Sequence, residues 1–125
     1  MAETRLTVKE LGVSTSVELS TLMAVPSADG SKFLLKGANI VFIENNSATL
    51  ALTVTFKMVG LSNTGNADDV DVVVPFGDVF TFNPSEHWRY ADAVANDCHM
   101  TYDATAAAAI SDIKIGVIRI PMSAI

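Results

Sequence analysis

Chemistry in this 125-residue chain would have to come from few residues, since it holds one cysteine, Cys98, and two histidines, His87 and His99. A thiolate–imidazole dyad or a zinc site needs such groups to converge on one point. Residues 98 to 102 read as extended, which sends the adjacent Cys98 and His99 to opposite faces, so Cys98 reads as a small core hydrophobe beside Met100 and Tyr102. Oxygen ligands cluster in Asn66-Ala67-Asp68-Asp69-Val70-Asp71, the donor type that calcium takes. An EF-hand begun at Asn66 wants Gly at its sixth position and Glu at its twelfth, and Asp71 and Gly77 stand there instead. The cluster reads as a solvated loop whose charges guard a strand edge. There is no Gly-x-Ser-x-Gly elbow, no Gly-x-Gly-x-x-Gly and no Gly-Lys-Ser or Gly-Lys-Thr. The expectation is a protein with no catalytic site, no cofactor and no metal.

One segment carries binding character of another kind. Asn83-Pro84-Ser85-Glu86-His87-Trp88-Arg89-Tyr90 contains the single tryptophan, and Trp88 and Arg89 are residue types that dominate binding hot spots. Trp88 either plugs one end of the fold or anchors the chain on a partner. Both readings remain open at this stage.

The elements that would position these residues are strands. In residues 49 to 58, Leu50, Leu52, Val54, Phe56 and Met58 share one face, and Thr49, Thr53, Thr55 and Lys57 share the other. Residues 39 to 44 form a β-branched and aromatic run, and Asn45-Asn46-Ser47 between the two runs tolerates tight turns, so residues 39 to 58 read as a β-hairpin. Further short strands are expected at 4 to 9, 17 to 24, 32 to 36, 70 to 74, 78 to 82, 98 to 103 and 112 to 120. Pro26, Gly30, Pro75, Gly77 and Pro84 punctuate them. The alanine run in residues 104 to 110 is short and lies between two strands, so it reads as a single turn or a plain connection. The pattern predicts an all-β fold: an antiparallel β-sandwich or jelly-roll of about eight strands with little or no helix, one domain over residues 1 to 125 with extended termini.

Composition narrows the partners. Half of the residues are apolar and 18% are charged, which suits a packed protein rather than a disordered one. Eight Lys and Arg against fourteen Asp and Glu give a net charge of -6, which opposes phosphate neutralisation and makes nucleic acid a poor partner. Apolar runs fall well short of the ~20 residues that span a bilayer, and residues 1 to 5 have no secretory pattern, so no membrane partner and a cytoplasmic origin are expected. The sequon Asn45-Asn46-Ser47 then has no glycosylation meaning.

The order of segments resembles a known group. It runs from Thr4-Arg5-Leu6-Thr7-Val8-Lys9-Glu10-Leu11 through Asp29-Gly30, Phe33-Leu34-Leu35, Ile40-Val41-Phe42-Ile43 and Asn45-Asn46-Ser47-Ala48. After a Thr-rich strand and the loop at 63 to 69 come Val72-Val73-Val74-Pro75, an aromatic turn near 80 to 84, Met100-Thr101-Tyr102 and Ile115-Gly116-Val117-Ile118-Arg119-Ile120. This resembles the capsid decoration, or cement, proteins of tailed bacteriophages, with their jelly-roll-like fold. The resemblance implies a virion protein made in the host cytoplasm and added to the outer surface of the head, where it bridges major capsid protein subunits and catalyses nothing. It implies the major capsid protein as partner, together with further copies of the chain in a homodimer or homotrimer. Apolar ends on a small domain gain most by docking elsewhere, so interface residues are expected at Arg5, Leu6, Val8, Met122 and Ile125, with Trp88, Arg89 and Tyr90 from the aromatic segment. Two other roles remain: a head-fibre base, tail or baseplate component, or a carbohydrate-binding module with Trp88 and Tyr90 as its platform.

Overall fold

A computed structural model describes residues 4–11, 16, 18–36, 38–58, 69–84, 90–92, 95–103 and 110–120. The strands among them are β1 (Thr4–Arg5), β2 (Val8–Glu10), β3 (Ser31–Leu34), β4 (Ala38–Asn45), β5 (Leu52–Phe56), β6 (Val70–Val74), β7 (Val79–Phe82), β8 (Asp97–Asp103) and β9 (Ile113–Ile120). One short helix, α1, covers Leu19–Leu22. A five-stranded sheet runs β1-β3-β8-β5-β6 and a four-stranded sheet runs β2-β9-β4-β7. The chain is an all-β sandwich.

Alternation builds the core. Leu52, Val54 and Phe56 of β5 are fully buried, while Thr53 and Thr55 between them stay half-exposed. Phe33, Cys98 and Met100 join them from the same sheet, and Val41, Ile43, Ile113, Ile115 and Val117 come from the other. Phe56 stacks on Phe82 across the gap with ring centroids 4.2 Å apart. Each such buried side chain contributes about 1.5–3 kcal/mol, which makes the interlocked faces the main source of stability.

Three expectations need correction. Residues 39 to 58 do not form a hairpin: β4 pairs with β7 and β9, whereas β5 pairs with β6 and β8 in the opposite sheet. The intervening residues carry the chain across the sandwich, and Leu50 is 45% exposed before the buried alternation begins. Within residues 17 to 24, the described ones, 18 to 24, are not a strand. Thr21 and Leu22 donate their amides to the Glu18 carbonyl and the Thr21 hydroxyl does the same, closing one helical turn, and only Ala24 bridges to Ile115. Nor are the sheets wholly antiparallel, since β1 joins β3 and β2 joins β9 in parallel.

These two parallel strands share a flank. β1 edges one sheet and β2 the other, so residues 4 to 10 step across the sandwich and close it. On the opposite flank β6 and β7 are the edges, joined through Pro75-Phe76-Gly77-Asp78. Gly77 sits there at φ +78°, a left-handed conformation that glycine adopts without strain. On the outer face of the four-stranded sheet α1 lies against β9 at Gly116. A Cβ there would come within 3.0 Å of Met23 Cγ and 3.1 Å of Leu22 Cγ, so a side chain at this position pushes those of the turn back from the strand.

Candidate functional site

Most expected interface residues that the structure describes are engaged within the chain. The Arg5 guanidinium donates to Asp97 Oδ2 at 2.6 Å, and this hydrogen bond, reinforced by the carboxylate's charge, raises the arginine pKa further. Asp97 is buried, and its Oδ1 has no hydrogen-bond partner among the described residues. Leu6 and Val8 are half-buried against the core, and the Leu6 amide donates to the Lys32 carbonyl at 2.8 Å. Tyr90 is buried with its ring edge-on to Phe82, centroids 6.0 Å apart, so it serves the packing between the sheets. Trp88, Arg89, Met122 and Ile125 lie outside the described residues, as does His87.

The candidate chemical groups are placed apart. Cys98 points into the core and His99 to the outer face, where its Nε2 lies 2.6 Å from Asp92 Oδ2. Burial, helped by the charge of Asp97, pushes the Cys98 thiol up to about 12, which leaves it a protonated, unreactive packing group. In the acidic segment, Asp69 Oδ1 accepts the Met58 amide and Asp71 Oδ1 accepts the Thr55 hydroxyl, so both carboxylates hold strands together. Residues 66 to 68 are outside the described residues. Among those described, no three His, Cys, Asp or Glu side chains are grouped as metal ligands.

The sequon asparagine turns out to be a joint between the sheets. Asn45 is buried, its Nδ2 donates to the carbonyls of Leu50 at 2.9 Å and Val74 at 3.0 Å, and its Oδ1 accepts the Ser47 amide at 3.0 Å. No oligosaccharide can be attached to a side chain so enclosed.

Around this joint the surface becomes apolar. Phe76 is 56% exposed, Val79 55%, Val73 54%, Leu50 45%, Leu19 39% and Phe80 38%. Four of them follow one flank, along β6, its turn and β7, with Val73 on the outer side of the five-stranded sheet and Val79 on the outer side of the four-stranded one. Asn45 ties the Leu50 carbonyl beside that of Val74 at the end of β6, and Phe76 occupies the turn from β6 to β7, whereas Leu19 shares a depression with Val79, Glu44 and Lys114 on the outer side of the four-stranded sheet. Families of known proteins, curated proteins and solved structures offer no match to this chain. The site therefore stands on its own geometry.

That geometry suits adhesion. Solvent-facing aromatic and aliphatic side chains mounted on two packed sheets lose little conformational freedom on docking. The one sequence signal for it is Pro75-Phe76-Gly77-Asp78, where a large aromatic occupies a turn that normally carries polar residues. A second feature, an open groove of about 600 Å³ between residues 5 to 9 and α1, is lined by Arg5, Lys9, Glu18, Thr21, Leu22 and Gly116 among others. Its mixed charges and hydroxyls converge on no common point.

Proposed function

We propose that this chain is a structural virion protein of the decoration type, which binds the outer surface of a major capsid protein lattice and stabilises the head, and which self-associates as a homodimer or homotrimer. The observation that carries this reading is the exposure of Val73, Phe76, Val79 and Phe80 along the flank formed by β6, its turn and β7. A protein that staples a lattice needs a stiff body and a few apolar anchors, and the two interlocked sheets supply the first as this flank supplies the second. Many copies act on one shell, so modest affinity at each contact becomes strong retention when linked copies engage together. The net charge of -6 keeps such a protein away from packaged nucleic acid.

The test is to mix the purified protein with undecorated tailed-phage heads. Saturable, stoichiometric binding and a raised disruption temperature are expected, with both weakened by Phe76→Ser. Heads that sediment without the protein, at any excess of it, overturn the reading.

A further inference from the structure

The four edge strands of the sandwich are not equally protected. Natural sheet edges resist pairing with other chains through charged side chains, prolines, bulges or shortness. β1 is two residues long and carries Arg5, β2 carries Lys9 and Glu10, and β6 carries Asp71. β7, Val79-Phe80-Thr81-Phe82, carries no charge and no proline, and Val79 and Phe80 are among the exposed hydrophobics. It is the terminal strand of its sheet, with no strand on its outer side among the described residues.

We propose that β7 is a homodimerisation edge: it pairs antiparallel with β7 of a second copy about a two-fold axis normal to the sheet, joining two four-stranded sheets edge to edge. This names the surface behind the self-association proposed above and rests on that reading.

The register follows from the ladder. Asn45 donates its amide to the Asp78 carbonyl at 3.0 Å, and β7 runs antiparallel to β4 with Ile43 opposite Phe80 and Val41 opposite Phe82. Hydrogen-bonded and non-bonded pairs alternate in such a ladder, so Phe80 and Phe82 turn their amides to β4 while Val79 and Thr81 turn theirs outward. A two-fold normal to the sheet keeps side chains on their own faces, so residues of the same parity must oppose one another. Placing the axis at Phe80 sets Val79 against Thr81 of the second copy, twice over, and makes about four backbone hydrogen bonds from the four outward groups. Phe80 then meets Phe80 in the close, non-bonded position where aromatic pairs pack best.

Charge does not oppose a second copy in this register. Asp78 lies opposite Phe82 of the other copy rather than its own equivalent. Glu44, which flanks Val79, already has Lys114 opposite it on β9 within the same chain. The self-pairing therefore brings no like charges face to face in spite of the net charge.

A short edge gives a small interface, so a Kd of about 10 µM is expected by sedimentation velocity. Thr81→Pro removes an outward amide without touching the bonds to β4, and Val79→Lys places a charge on the edge. Each should leave the melting temperature of dilute protein unchanged and shift the Kd upward at least tenfold. Phe80→Cys should cross-link to a disulfide dimer on mild oxidation, because non-bonded antiparallel pairs hold their Cα atoms about 4.5 Å apart, and Thr81→Cys should not.

A wild-type chain that stays monomeric far above this concentration overturns the self-association reading as a whole. An oligomer that survives both edge variants, or a trimer, overturns this surface and leaves self-association standing. A chain that is monomeric alone but loses binding to phage heads on Val79→Lys overturns the two-fold pairing in favour of a strand from the capsid protein. Cross-linking through Thr81→Cys instead of Phe80→Cys overturns the register.

Discussion

Replacing Asn45 with alanine removes three hydrogen bonds at once, to the carbonyls of Leu50 and Val74 and from the amide of Ser47. Each bond contributes about 1 kcal/mol net, and a carbonyl left buried without a donor costs more, so the change should destabilise the fold by about 3–4 kcal/mol. For a domain whose total stability lies in the range of about 5–15 kcal/mol, that is a large fraction, and the melting temperature should fall by roughly 10–15 °C. Asn45→Asp sharpens the test. An aspartate at this position keeps the acceptor for Ser47 but directs its second oxygen at two carbonyl oxygens, so burial and the lack of donors raise its pKa above the ordinary ~3.9. With a raised folded pKa, stability is fully present below the ordinary value and is lost as pH rises through the raised one. The aspartate variant should therefore approach wild type near pH 4 and fall below the alanine variant at pH 7. Urea unfolding at the two pH values, with the wild type alongside to remove the background pH effect, reads both differences. An alanine variant that loses less than about 1 kcal/mol, or an aspartate variant as stable as alanine at pH 7, refutes the joint described here.

Two further outcomes follow from the packing. Below its ordinary 9.0 the Cys98 thiol is protonated in the folded and the unfolded chain alike, and between there and about 12 only the unfolded chain ionises. Stability should thus fall by about 1.4 kcal/mol per pH unit above 9 through this group, and urea midpoints at pH 8 and 10.5 should show a shallower alkaline loss for Cys98→Ala; equal slopes refute it. Gly116→Val forces Leu22 and Met23 off β9 and should lower stability by about 2 kcal/mol in thermal melts, with part regained by Met23→Ala in the same background. A valine variant that melts like wild type means that α1 is not seated there.

Periodicity carried the strands but not their neighbours. The two-residue alternation of Leu52, Val54 and Phe56 states which side of a strand is apolar, and it reads the same whether the preceding strand pairs beside it or lies across the core. Asn45-Asn46-Ser47 therefore resembled a hairpin turn, because nothing local records that the Asn45 side chain reaches Val74, distant in sequence. Residues 17 to 24 misled for a related reason. Leu19, Leu22 and Met23 look like strand hydrophobics, and their turn forms to cover a glycine on β9 far along the chain. The opposite faces of Cys98 and His99 were legible, since they depend only on the local extended backbone. The exposed apolar flank was not, because Leu50 comes beside the run from Val73 to Val79 only when Asn45 ties residue 50 to the end of β6.

The flank that residues 4 to 10 close has a consequence for biosynthesis. Val8, Lys9 and Glu10 lie against Val117, Ile118 and Arg119, and the Glu10 carboxylate that accepts from Arg119 is 109 residues away from it. On the ribosome β2 is made long before β9, yet it has nothing to add to until β9 has cleared the exit tunnel. β4 can pair with β7 earlier, but its other edge waits for the same strand, since β9 lies between β2 and β4. The four-stranded sheet is then completed only after translation of residue 120, a topology of long sequence separations that folds slowly and leaves strand edges open while it waits.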